Sequence, residues 1–233
     1  MITIWKQSNN SIVRTAMLER HCWINVVAPD ALEIETVKRE YGIPEDIIRD
    51  ILDVDERSRS EKDDTYQAVI FRVPVFTGNG EVQYYTVPLG VIITGDVFIT
   101  ISGMETEVTA DFFENRVRGI RLDKPLDLLV RLFLQSARQY LRFLKAINRH
   151  TDALEGELQR AVKNTELIKL LRMEKSLVFF TTSLRANELL FVKLEKTLFK
   201  NLDDQGAELL EDAITEARQA VEMANIHSNI LSG

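Results

Sequence analysis

From Pro125 to its last residue, Gly233, the chain contains no further proline and only two other glycines, Gly156 and Gly206. A stretch so free of helix breakers can carry helices well beyond the three or four turns usual in globular proteins. Its apolar residues keep a helical beat. Leu170, Met173, Leu177, Phe180, Leu184, Asn187, Phe191, Leu194 and Leu198 recur at alternating steps of three and four, a coiled-coil-type seam. Leu126, Leu129, Phe133, Ala137, Tyr140, Leu144, Ile147, Thr151, Leu154 and Leu158 do nearly the same, with one irregular step after Phe133. Two long helices are therefore predicted to lie antiparallel, turning near the segment "AVKNTE", where Asn164 or Thr165 can cap the second.

A third helix is predicted within "LDDQGAELLEDAITEARQAVEMANIHSNILSG". Its seam of Leu210, Ala213, Ala217, Ala220 and Ala224 is mostly alanine, and small residues let neighbouring helices approach closely. Two readings stay open: packing inside this chain's own bundle, which is the simpler one, or packing of copies around a symmetry axis. Near the end, in "HSNILSG", Ile230 and Leu231 still continue the apolar face, so the helix reads as interrupted, whereas a natural terminus usually frays into polar residues.

The first half is of another kind. "ITIWKQ", "CWINVV", "YQAVIFRVPVF", "VQYYTVPLGVIIT" and "DVFITIS" are β-branched and aromatic runs punctuated by glycine, with Gly78-Asn79-Gly80 marking a hairpin turn. Between early and late strands, "APDALEIETVKREYGIPEDIIRDILD" predicts one helix ending at Gly42 and a second beginning at Pro44. The fold class expected is α+β: an N-terminal α/β domain over residues 1–122, with a mixed sheet flanked by helices, and a long-helix region with a stalk helix over 123–233.

Charge narrows the partners. The net charge is −7, and all of the excess acid lies in residues 1–105, which carry 10 Lys/Arg against 17 Asp/Glu, while residues 106–233 carry 19 of each. An acidic chain repels phosphate backbones, so a nucleic-acid partner is not expected and cations or basic partners are. The single Cys22 lies in an apolar run and is expected to be a buried thiol of a cytosolic protein. "MITIWKQSNN" lacks the apolar core of a signal peptide. "LLVRLFLQ" is broken by Arg131, and no run reaches the ~18 apolar residues of a membrane span, so the chain as given reads as soluble.

Catalytic signatures are absent: there is no G-x-S-x-G, H-E-x-x-H, C-x-x-C or Walker-type loop, and His21, His150 and His227 fall in unrelated elements. His21 reads as a strand-edge residue, and the other two as polar residues on helix faces. No enzyme is expected. The informative stretch is "YGIPEDIIRDILDVDERSRSEKDD", which between Pro44 and Thr65 sets nine acids against four bases. Ile47, Ile48, Ile51 and Leu52 make an apolar stripe, while Asp46, Asp50 and Asp53, three or four residues apart, are expected to share the opposite face. Hard cations such as Mg²⁺ take oxygen ligands and keep several waters, so one or two carboxylates from this face and another from elsewhere would suffice. On spacing alone, a solvated acidic face is the commoner explanation.

In order and spacing, Trp23-Ile24-Asn25, the helix before Gly42-Ile43, "EDIIRDILDVDERSR" with Glu61 and Tyr66 downstream, "EKSLVFFTTSLRANE" and "EDAITEARQAVEMANIHSNILSG" resemble the CorA-type divalent-cation transporters over essentially the whole chain. The resemblance implies a cytoplasmic portion of a cell-membrane homopentamer, with a stalk helix leading to membrane spans and a Gly-Met-Asn pore motif that this chain does not contain. It also implies regulatory Mg²⁺ held between neighbouring subunits, by Asp50 of one and Asp212 of the next; Asp46 and Asp53, spaced onto the same face, are expected as outer-shell helpers. Zn²⁺, Co²⁺ or Ni²⁺ are the alternative ions within the family. The chain departs from the family's commoner pattern in carrying Arg49, rather than an acid, before Asp50, and a cation there is expected to weaken ion binding. From another class, a free-standing coiled-coil scaffold is the rival reading.

Overall fold

The computed structural model describes residues 1–9, 11–78, 82–158 and 164–232, and the side chains of 155–158, 201 and 232 are left aside. The predicted turns at Asn79-Gly80 and at residues 161–163 of "AVKNTE" lie outside the described residues. Seven strands form one mixed sheet: β1 (Ile2–Ser8), β2 (Ser11–Thr15), β3 (Cys22–Val27), β4 (Arg59–Lys62), β5 (Gln67–Phe76), β6 (Tyr84–Thr94) and β7 (Val97–Ser102), in the order β2-β1-β3-β7-β6-β5-β4. After β3 the chain crosses to the far edge through α1 (Ala31–Tyr41) and α2 (Glu45–Leu52), then returns as an antiparallel meander from β4 to β7. That return leaves β7 parallel to β3.

Alternation along the strands sends residues of opposite parity to two cores. Trp23, Val69, Phe71, Val73, Leu89, Val91 and Phe98 go to one face. Ile24, Val26, Ala68, Ile70, Ile92, Ile99 and Ile101 go to the other. The second face is covered by α1 and α2 through Val37, Ile43, Ile47, Ile48 and Ile51. Asp30 caps α1 by accepting from Leu32 and Glu33 N–H, and Gly42, where the sequence predicts the helix to end, ends it in the left-handed conformation at φ 66°.

The first face carries α3 (Glu107–Phe113), α4 (Pro125–Leu158), α5 (Asn164–Thr197) and α6 (Asp204–Ser232), the last two joined through a 3₁₀ turn at Phe199–Asn201. Strand and helix residues share this core, which therefore runs across residues 122 and 123. Ring contacts of Phe133 with Phe191 (3.9 Å) and Tyr140 with Phe180 (5.1 Å) set α4 antiparallel to α5, as expected. Contacts of Lys124 with Asp203 and of Arg138 with Glu216 set α6 parallel to α4. The alanine seam packs inside the chain: Ala213, Ala220 and Ala224 are fully buried, and α6 is the most extensive partner of α4. The absence of bulk on α6 is what lets the two helices approach over their length. Of the two readings of that seam, the intrachain one is the structure found.

Three elements have no counterpart in the sequence reading. β2 and β4 are short edge strands, and α3 is a helix of seven residues whose Val108 and Phe112 are buried, with Phe112 edge-on to Trp23 at 5.2 Å. Each is too short to show a period, and its tertiary contacts hold it in place.

Candidate metal centre

The acidic helix α2 is held to the sheet by its isoleucines. Ile47, Ile48 and Ile51 are buried, and Ile51 lies so close over Gly90 of β6 that a Cβ added there would fall 2.3 Å from its Cδ1. A side chain at 90 would lift α2 away, so the glycine fixes how near the acidic helix sits to the strands. The helix ends at Leu52. Asp53 is consequently its C-cap, with extended backbone, and not a third carboxylate on the helix face as the spacing predicts. Its Oδ1 accepts the Asp55 N–H at 3.0 Å, and Asp46 Oδ1 accepts the Ile47 N–H at 3.0 Å.

The cations around Asp50 are not arranged as the order of residues implies. Arg49 turns away to pair with Glu45, which Lys38 also reaches at 2.6 Å. Those two donors hold the Glu45 carboxyl below its ordinary pKa. The cation on Asp50 is instead Arg59, nine positions on, at the start of β4. Its Nη2 donates to Asp50 Oδ2 at 2.6 Å, its Nε to Glu56 Oε1 at 2.8 Å and its Nη1 to Glu61 Oε2 at 2.7 Å. Glu61 also accepts from the Tyr66 hydroxyl at 3.1 Å, and burial together with that bond pushes the phenol up to about 12, so it stays a neutral donor at pH 7.

Between α2 and β4 the chain runs around the sheet edge, held by a residue the sequence reading did not single out. Arg72 of β5 donates through Nη1 to the carbonyls of Val54 (2.9 Å) and Glu56 (2.7 Å), and through Nη2 to that of Thr86 (2.7 Å). Its Nε reaches Thr86 Oγ1 and Ser183 Oγ. Asn187 of α5 brackets the same residue, accepting the Arg72 N–H at 3.0 Å and donating to its carbonyl at 2.8 Å. The signal for this clasp was present: Arg72 is the one charge in "QAVIFRVPVF", and Asn187 the one amide in an apolar seam. Beside it, between residues 55–59 and α5, opens a cleft of about 720 Å³ lined by Arg57, Arg59, Arg72, Ser183 and Leu189 among others.

Asp212 is exposed on α6, while Asp50 is half-exposed on α2. α2 packs on β6 and β7 on one side of the sheet, and α6 packs on α4 and α5 on the other. One chain therefore does not bring the two aspartates together. Among the described residues, no three His, Cys, Asp or Glu side chains converge as a metal cage. The donor chemistry nevertheless suits a hard divalent ion: both groups are carboxylates within reach of water, and no thiolate or imidazole adjoins them. His21 stands just before β3, with its N–H donated to the Asp96 carbonyl, His150 is on α4 and His227 on α6, all far along the chain from α2.

Comparison with known proteins shows the family and the fold. Residues 19–232 match a family model described as CorA-like Mg2+ transporter protein. The cobalt/magnesium transport protein CorA of Methanocaldococcus jannaschii is 25% identical over 225 residues, covering 91% of this chain and 67% of that protein. The structure of the soluble domain of CorA from M. jannaschii superposes with a TM-score of 0.84 at 22% identity, covering 100% of this chain and 94% of that one. The ZntB cytoplasmic domain from Vibrio parahaemolyticus shares the fold with a TM-score of 0.77 at 10% identity, covering 99% and 93%.

Proposed function

The chain belongs to the CorA-like Mg2+ transporter family, and from that membership we propose that it acts as the cytoplasmic sensor portion of a membrane transporter for divalent cations. It is not an enzyme in this reading. It gates transport by binding Mg²⁺ between adjacent copies of a homopentamer, through Asp50 of one copy and Asp212 of the next, with Asp46 and Asp53 as outer-shell helpers. No helix among the described residues is long and apolar enough to cross a membrane, so in this reading the ion pathway is built by other residues of the transporter.

One observation carries the proposal: α2 and α6 expose their aspartates on opposite sides of the same sheet, so an ion can be shared only between two chains. Two carboxylates brought within a few ångströms repel unless a cation lies between them. With the ion bound, the assembled closed state gains a bridge that the separated state lacks, and as the ion is withdrawn repulsion favours separation. Such differential binding is what any ligand-driven switch requires. All-oxygen ligation favours Mg²⁺ over the softer Zn²⁺, while Co²⁺ and Ni²⁺ stay as alternatives to be compared directly.

Titration of the full-length transporter with MgCl₂ during limited proteolysis tests the site. Asp50→Ala and Asp212→Ala are each expected to remove most of the Mg²⁺-induced protection, and the double variant to be little worse than either, because both partners serve one ion. Unchanged protection in both single variants would overturn the assignment.

A further inference from the structure

Three carboxylates, from α2, from the segment after it and from β4, converge on a single guanidinium, and each of its three nitrogens addresses a different one. Against the three acids there is one positive charge, so two negative charges stay uncompensated within the cluster. Glu56 is the most sheltered of the three, at 19% side-chain exposure, whereas Asp50, at 47%, is the most open. Asp50 is thus the partner that can be given up at least cost. Glu56 and Glu61 would still hold the guanidinium, and Arg59 itself lines the adjoining cleft, which has room for it to shift.

We propose that Arg59 is a tethered counter-ion of the sensor site: its guanidinium occupies the Asp50 carboxylate when no divalent cation is bound, and competition between the two sets the ion concentration at which the site responds. The inference rests on the reading of Asp50 as a ligand and adds the regulation of that ligand. A planar guanidinium can bond three carboxylates at once, which a lysine ammonium of the same charge cannot do in the same fixed fork. The arrangement also keeps α2, the following segment and β4 together in the ion-free protein, where bare acids would repel. An incoming divalent ion must displace Arg59 from Asp50 and is repelled by it until it does, so the residue acts as a threshold. Arg49, adjacent in sequence, has no such role because Glu45 already holds it.

MgCl₂ titration of the full-length transporter, read as the midpoint of protection from proteolysis, tests the competition. Arg59→Gln is expected to lower the midpoint about three- to tenfold, the scale of a half-exposed ion pair acting on a doubly charged ion. Arg59→Lys, which keeps the charge and loses the fork, is expected to lower it less, and Arg49→Gln to leave it within about twofold. If Asp50→Ala abolishes protection while Arg59→Gln leaves the midpoint unchanged or raises it, the counter-ion role is overturned and the metal site stands. If Asp50→Ala has no effect, the site itself falls and Arg59 with it. Should Arg59→Gln not fold, as judged by its helical circular dichroism, the Arg59→Lys midpoint decides by the same criterion, since an unchanged or raised value overturns the role.

Discussion

On the face that carries α4, α5 and α6, the sheet presents Trp23, Phe71 and Phe98 to a layer of long helices, whereas the opposite face presents Ile24, Ile70 and Ile99 to the two short helices α1 and α2. The first face is locked by ring contacts and by polar bonds that bind the layers, among them the Thr86 and Ser183 hydroxyls bonded at 2.7 Å and the Tyr140 hydroxyl donating to the Arg72 carbonyl at 3.0 Å. The second is a thin aliphatic layer edged by ion pairs. A thick aromatic core holds position, while a thin layer with charged margins can respond to ions at low cost. The proposed sensor helix belongs to the thin layer, and the partner aspartate stands on the thick one.

The largest expected effect tests whether the two faces differ in strength. Phe133 is buried between Phe71 and Phe191, with centroids at 4.3 and 3.9 Å. Phe133→Ala is expected to cost about 3–5 kcal/mol in urea unfolding, against about 2 kcal/mol, the low end for such truncations, for Ile48→Ala under α2. Equal losses would show that the thin layer contributes as much as the thick one. A middle-sized effect tests whether α2 is positioned by its contact with the strand. Gly90→Ala drives a Cβ into Ile51, and overpacking of this kind costs about 1–3 kcal/mol. It should also weaken Mg²⁺ protection by shifting Asp50. A stability loss with the ion response intact would place the control of Asp50 in Arg59 alone.

The smallest effect sharpens the contrast from the thick side. Burial holds the His227 imidazole of α6 below its ordinary pKa, with Asp152 opposing the shift, and its Nδ1 is buried without a hydrogen-bond partner among the described residues. The unfolded chain therefore binds the proton more readily, so the contribution of the neutral ring is complete above about pH 6.5 and is lost as pH falls toward the lower folded value. Melting temperatures at pH 7.5 and 5.5 should show a larger drop for the parent chain than for His227→Asn. Identical drops would mean that the helical layer does not sense this proton.

Much of this architecture is legible in the residues. The steps of three and four foretell α4 and α5, Gly42 foretells the end of α1, and the strand runs foretell β1, β3, β5, β6 and β7. What escaped was short or non-local. β2, β4 and α3 carry too few residues for a period. The pairing of Asp50 is set by a residue nine positions away on a strand, and Arg49, its neighbour in sequence, points elsewhere because successive positions on a helix face different directions.

By itself, the sequence determined which segments are helix or strand and which side of each is apolar, because periodicity and backbone chemistry act over a few residues. It also determined family membership, shown by the match over residues 19–232. Only the tertiary structure decided that the alanine face of α6 is spent on α4 and α5 within one chain, that Arg59 rather than Arg49 pairs with Asp50, and that Asp50 and Asp212 stand on opposite sides of one sheet. Those outcomes depend on which surfaces meet after the chain has crossed from β3 to the far edge and back, and charge and packing between distant residues are settled only by that meeting.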